Sequence, residues 1–75
     1  MAYSKEQELN LKKAISAYGE ASKIFTIEKY PSNYSIVQGA ISIAYTQLAQ
    51  INDKEENLAK AQKAKEEAEK VNSNK

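Results

Sequence analysis

The side chains that could carry chemistry in this chain are carboxylates, lysines and phenols, because its 75 residues include no His, Cys or Arg. Two adjacent carboxylate pairs, Glu55 with Glu56 and Glu66 with Glu67, come nearest to a reactive set. Paired carboxylates can divide general acid and base roles or offer hard oxygens to a cation. Here they are interleaved with Lys54, Lys60, Lys63, Lys65 and Lys70, so ordinary solvated charge explains them better. A nucleophile would find no imidazole or thiol partner, and no Gly-rich loop is present to hold a phosphate. The usual structural zinc sites and disulfides are excluded on the same grounds. The expectation is a protein that is not an enzyme, with no cofactor and no metal. Of the five Tyr, Tyr18 and Tyr45 fall on apolar stripes, which suits packing with the hydroxyls at the rim.

Charge narrows the partners. Eleven Lys against ten acidic residues leave a net charge of +1, too little to draw the chain to nucleic acid or anionic lipid. Without Arg there is also no planar fork for guanine edges or phosphate. Residues 31–52 lack any charged side chain, yet Ser32, Asn33, Ser35, Gln38, Ser42, Thr46, Gln47 and Gln50 break the apolar run that a bilayer requires. No basic segment followed by an apolar one opens the chain, so a soluble, cytoplasmic protein is expected.

Three helices must position these groups. The first is expected over about residues 5–29, with Ser4 and Gln7 at capping-box spacing and Glu6 and Glu8 in the first turn. Leu11, Ala14, Ile15, Tyr18, Ala21 and Phe25 form its stripe, and Ala17 with Ile24 widens it. Tyr30 precedes Pro31, which disfavours helical backbone at Tyr30. The second helix is expected over about 33–51, capped by Ser32 or Asn33, with a stripe of Tyr34, Val37, Ile41, Ala44, Tyr45, Leu48 and Ile51 beside Ala40. It reads as a central helix contacted on several sides. Asn52-Asp53 breaks the chain, and Asp53 with Glu56 opens a third helix over about 54–71. That helix has a narrow stripe of Leu58, Ala61, Ala64, Ala68 and Val71, supported by Glu56–Lys60 and Glu66–Lys70 pairs four apart. Residues 72–75 read as a frayed tail. A domain this small buries roughly 60% of the surface its unfolded chain exposes, so stability must come from regular packing or from a partner.

Residues 10–25 recur 47 positions later as 57–72. Eight of the sixteen positions are identical: Asn10/Asn57, Leu11/Leu58, Lys13/Lys60, Ala14/Ala61, Ala17/Ala64, Glu20/Glu67, Ala21/Ala68 and Lys23/Lys70. Ile24/Val71 is conservative. Such a period marks stacked helix pairs, each burying its apolar face against a neighbour, and a piece of a repeat protein. Ile15 becomes Gln62 and Tyr18 becomes Lys65, two exchanges of large apolar for solvated side chains on one face, as in a terminal cap. Gly19 faces Glu66 in the alignment, which makes it a tolerated weak point.

The set resembles the tetratricopeptide repeat family in a long-period form, in the order helix B, helix A, helix B. Ile41, Ser42 and Tyr45 match the helix A pattern, Ala14, Tyr18 and Ala21 the helix B pattern, and Pro31 the closing proline. Gln38 stands where the family usually has Trp, and Ser42 where it has Gly. The resemblance implies an all-α, three-helix antiparallel stack, and a protein-binding groove lined by Ile36, Gly39, Ile43, Thr46 and Gln47. The Lys and Asn with which some members clamp a terminal carboxylate are replaced by Gly39 and Ile43. Ile36 and Ile43 lie off the main stripe, so either they pack under a flanking helix or they form an association surface. Gly39 between them suggests that another backbone comes close.

The function these features imply is a protein-interaction or self-assembly scaffold, with a homodimer through the second helix as its simplest form. The Met-Ala start and the alternating Lys and Glu also suit an engineered or consensus-derived sequence without a natural function. A natural adaptor that binds a partner peptide through the second helix is the first alternative. A nucleic-acid-binding helical hairpin is a second, disfavoured by the charge.

Overall fold

Pro31 sets the first corner of the fold. Its fixed φ suits the first position of a helix, where no backbone donor is needed, and it holds Tyr30 at φ −135, ψ 65, outside the helical region. In a computed structural model, which describes residues 5–73 and the side chains of 5–71, three helices form: α1 (Lys5–Ile24), α2 (Pro31–Ala49) and α3 (Lys54–Ser73). No strand occurs among the described residues. The helices run antiparallel, since Tyr34 meets Glu67 and Tyr45 lies under Lys60 between α2 and α3, and Asn52 just past α2 meets Glu8 near the start of α1. α1 packs on α2 and α2 on α3, whereas α1 and α3 have no backbone contact. The result is an open stack with α2 in the middle.

Several boundaries differ from the expected ones. α1 stops at Ile24, five residues before Lys29, and the segment after it turns back on itself. The Tyr30 amide bonds the Thr26 carbonyl at 2.8 Å, the Lys29 amide bonds the Thr26 hydroxyl, and the Phe25 and Tyr30 rings meet edge to face at 5.5 Å. Phe25 keeps the helical spacing, but its ring closes the corner. α2 begins at Pro31, so Ser32 and Asn33 lie inside it, and Tyr30 at the cap makes no side-chain bond. α2 ends at Ala49 and α3 extends to Ser73. The Ser4 cap lies outside the described residues, as does the side-chain state of the tail.

The second corner depends on Asn57. Asp53 sits at φ 46, in the left-handed region that Asp and Asn tolerate best, and not in the extended backbone usual for a capping residue. Asn57 closes the turn from both ends: its amide bonds the Asp53 carbonyl at 2.9 Å, and its side chain donates to the Asn52 carbonyl at 3.0 Å. Asn52 in turn donates to Glu8 of α1. One buried amide and one loop amide thus tie all three helices together.

The core is thin. Ala44, Leu48, Ala49, Ala61 and Ala64 are its buried apolar residues, and Asn57 is the buried polar one. The expected α2 stripe is buried or half-buried throughout. α1 is different: it has no fully buried residue, Ala17 is exposed and Ile24 is 67% exposed. The broad face expected of it is narrower, because a single neighbour covers it. On α3, Leu58 is 42% exposed and Asn57 takes the first place of the stripe, followed by Ala61, Ala64, Ala68 and Val71 at alternating spacings of four and three. Of the two expected ion pairs, Glu56–Lys60 forms at 3.3 Å, while Lys70 pairs with Glu67 at 2.8 Å and Glu66 accepts from Gln62.

Candidate functional site

α2 turns three sides toward its neighbours and the cleft between them, and one side outward. The residues expected to line a groove fall on this outward side. Ile36 is 71% and Ile43 62% exposed, so neither packs under α1 or α3. Gly39 lies between them, and a Cβ added there would meet nothing within 4 Å, so no backbone of this chain approaches it. Thr46 and Gln47 are exposed, with the Thr46 hydroxyl bonding the Ser42 carbonyl at 2.9 Å. The five residues share a face through spacings of three, four and seven. α2 carries no charged side chain, so the groups that flank the stripe on this helix are neutral. At its C-terminal end the face runs into a shallow depression of about 430 Å³ beside Ala49, Gln50, Lys54 and half-exposed Leu58.

The opposite side of α2 is the floor of a cleft of about 240 Å³ between α1 and α3. Tyr45 and Leu48 form the floor, Lys12 and Ile15 one wall, and Glu56, Asn57 and Lys60 the other. Both lysines of the cleft are paired, while Asp53 at its rim is exposed. Lys12 pairs with Glu8 at 3.4 Å, and Lys60 pairs with Glu56 while lying 5.6 Å from the centre of the Tyr45 ring. Both pairs lie within one helix, and only the Lys60 contact with Tyr45 and the Asn57 bond to Asn52 reach out of α3 here.

The two carboxylate pairs differ in their surroundings. Glu55 and Glu56 are exposed, and among the described residues no group of three His, Cys, Asp or Glu could hold a metal ion. Glu67 has a structural task. The Tyr34 hydroxyl donates to it at 2.5 Å, next to the bond from the Ser35 hydroxyl to the Ala68 carbonyl at 3.2 Å. Burial, then the hydrogen bond and charge of Glu67 and the charge of Glu28, push the Tyr34 phenol up to about 12. The bonds from Lys70 and Tyr34 hold the Glu67 carboxyl below its ordinary range against the opposing effect of burial.

The sign of the pH dependence follows. The folded chain holds the phenolic proton more tightly than the unfolded chain, so this contribution is complete below about pH 10 and is lost as pH rises toward 12. Glu67 contributes above the usual carboxylate range and loses its contribution as pH falls through its lowered value. Tyr34→Phe is expected to cost about 1 kcal/mol at neutral pH, the scale of a half-exposed bond to a charged acceptor. In urea titrations the gap between parent and variant should close above pH 10; a gap that stays constant would contradict this account.

Sequence reasoning missed Asn57, Ala49 and the Glu8–Asn52 bond. The repeat contained a signal for the first, since Asn10 and Asn57 are identical at aligned positions. Gln62 and Lys65, where the first copy has Ile15 and Tyr18, are exposed. No helix among the described residues is long and apolar enough to cross a membrane. Comparison with protein-family models, curated proteins and solved structures finds no match to this chain.

Proposed function

We propose that this chain is a tetratricopeptide-like scaffold for protein association, with the Ile36, Gly39, Ile43 face of α2 as the surface through which two copies meet. The observation that carries the reading is the pair of large apolar side chains standing 71% and 62% exposed on a helix without a charge. Single exposed apolar residues are ordinary on soluble proteins, but two on one uncharged face form a stripe that loses hydration when covered. A two-fold pairing uses each Ile twice, and Gly39 lets the helices approach. The small core adds an incentive, since a partner covers surface the chain cannot bury alone. Thr46 and Gln47 extend the stripe with groups that can bond across it. The role is non-enzymatic and cytoplasmic, without cofactor, nucleic acid or membrane.

Sedimentation of the parent and of Ile43→Lys tests this. The variant should keep its helical circular dichroism and shift in mass toward monomer, because the ammonium would be desolvated in the interface without a partner. Gly39→Ala separates the two roles of the glycine. It should raise monomer stability by roughly 0.8 to 1 kcal/mol, since nothing in the chain obstructs the new methyl, while weakening the association. A parent that stays monomeric at high concentration, or an Ile43→Lys chain that unfolds, would sink the proposal.

A further inference from the structure

The two copies of the repeat agree most closely where the second copy touches α2. α3 packs on α2 alone, so α2 is what buries Asn57, Ala61 and Ala64. Seven of the eight identities fall on residues that engage α2 or hold one that does. Asn57, Ala61, Ala64 and Ala68 line the interface, Lys60 covers the Tyr45 ring, Glu67 receives the Tyr34 hydroxyl, and Lys70 pairs with Glu67. Val71, half-buried, is the conservative exchange for Ile24. The positions that changed, among them Gln62, Lys65, Glu66 and Glu69, are exposed. What the copies share is a face that fits one kind of helix.

In α1 most of that face is uncovered, although Ala14 and Ala21 at its edge are half-buried. α1 packs on α2 alone, and its other half-buried residues, Leu11, Ile15, Tyr18 and Ser22 among them, lie on a different side of the helix. Asn10, Ala17 and Glu20 are exposed, and Ile24 is 67% exposed. The polar pattern is also in place: Lys23 pairs with Glu20 at 3.3 Å, as Lys70 pairs with Glu67. The Ala21 carbonyl corresponds to the Ala68 carbonyl that receives the Ser35 hydroxyl. From this match we infer that the outer face of α1, centred on Ala17, Glu20 and Ile24, is a docking site for an α2-like helix donated by another polypeptide.

The occupant has a stated chemistry because α3 already holds one example of it. It is an uncharged helix with Tyr-Ser in its first turn and a second Tyr three turns on, as Tyr34, Ser35 and Tyr45 are placed in α2. Its Tyr hydroxyl bonds Glu20, its Ser hydroxyl bonds the Ala21 carbonyl, and its apolar side covers Ala17 and Ile24. Besides the Glu20–Lys23 pair the face carries exposed Lys13, the counterpart of the Lys60 that covers Tyr45, so it suits an uncharged helix with a Tyr at that height. This surface is separate from the Ile36–Ile43 face, and either can exist without the other.

The test is a titration of the isotope-labelled full chain with a synthetic peptide of residues 30–53 that carries Ile36→Lys and Ile43→Lys. Those two changes lie on the outward side of α2 and remove its other association surface from the experiment. Saturable amide shifts confined to α1 around Ala17, Glu20 and Ile24 are expected. Ile24→Lys in the chain should weaken binding by about tenfold or more, because a charge is then desolvated unpaired. Ala17→Glu, at another exposed site, should do the same should Ile24→Lys disturb the fold. Tyr34→Phe in the peptide should weaken binding severalfold. The inference is overturned by the absence of shifts at millimolar peptide, by shifts centred on Ala61 and Ala64, which mark exchange with the chain's own α2, or by binding indifferent to both α1 variants.

Discussion

Leu48→Ala is expected to cost about 2 to 5 kcal/mol, the range for truncating a large core side chain. Leu48 is 4% exposed, and the other buried apolar residues, Ala44, Ala49, Ala61 and Ala64, are all alanines. It lies on the floor between Lys12 and Ile15 of α1 and Asn57 of α3, so its loss opens a void where the three helices converge. A domain of this length has roughly 4 to 11 kcal/mol in total, at the usual stability per residue. The variant should therefore melt at least about 10 °C lower, with its unfolding in urea moved to correspondingly lower concentration. A midpoint within a degree or two of the parent would mean that the alanine layers and the Asn57 bonds hold the stack without it.

The corners of the fold were legible because they rest on local chemistry. Pro31 fixes one, and the Asn52-Asp53 pair marks the other. The end of α1 was not, since Phe25 continues the apolar period while its ring serves the corner by meeting Tyr30 edge to face. On α3, Leu58 looked like core by residue type, yet the alanine spacing points one position earlier, and a polar residue occupies that place. Asn57 can be buried because both of its ends are bonded at the turn, which no periodicity count registers. The candidate site was legible as a face but not as a surface. Periodicity places Ile36, Gly39 and Ile43 together; whether α1 or α3 covers them depends on where each helix seats around α2, and only the packing gives that.

The same reasoning explains why identical residues in the two copies should respond differently to one substitution. Ala64→Asp is expected to cost about 2 kcal/mol, because it desolvates a short carboxylate between α2 and α3 with Glu67 one turn away, a cost that Lys60 and Lys63 beside Ala64 offset only in part. Ala64 is 5% exposed and lies beside Tyr45. Ala17→Asp at the matching position of α1 should cost less than about 1 kcal/mol, little beyond the weaker helix propensity of Asp, since Ala17 stands in solvent. Urea unfolding of the two variants in dilute solution measures the difference directly. Equal costs would mean that the outer face of α1 is covered within the chain, contrary to the open stack. A cost at Ala17 that appears only as protein concentration rises would instead place another chain on that face, because only an intermolecular contact makes stability depend on concentration.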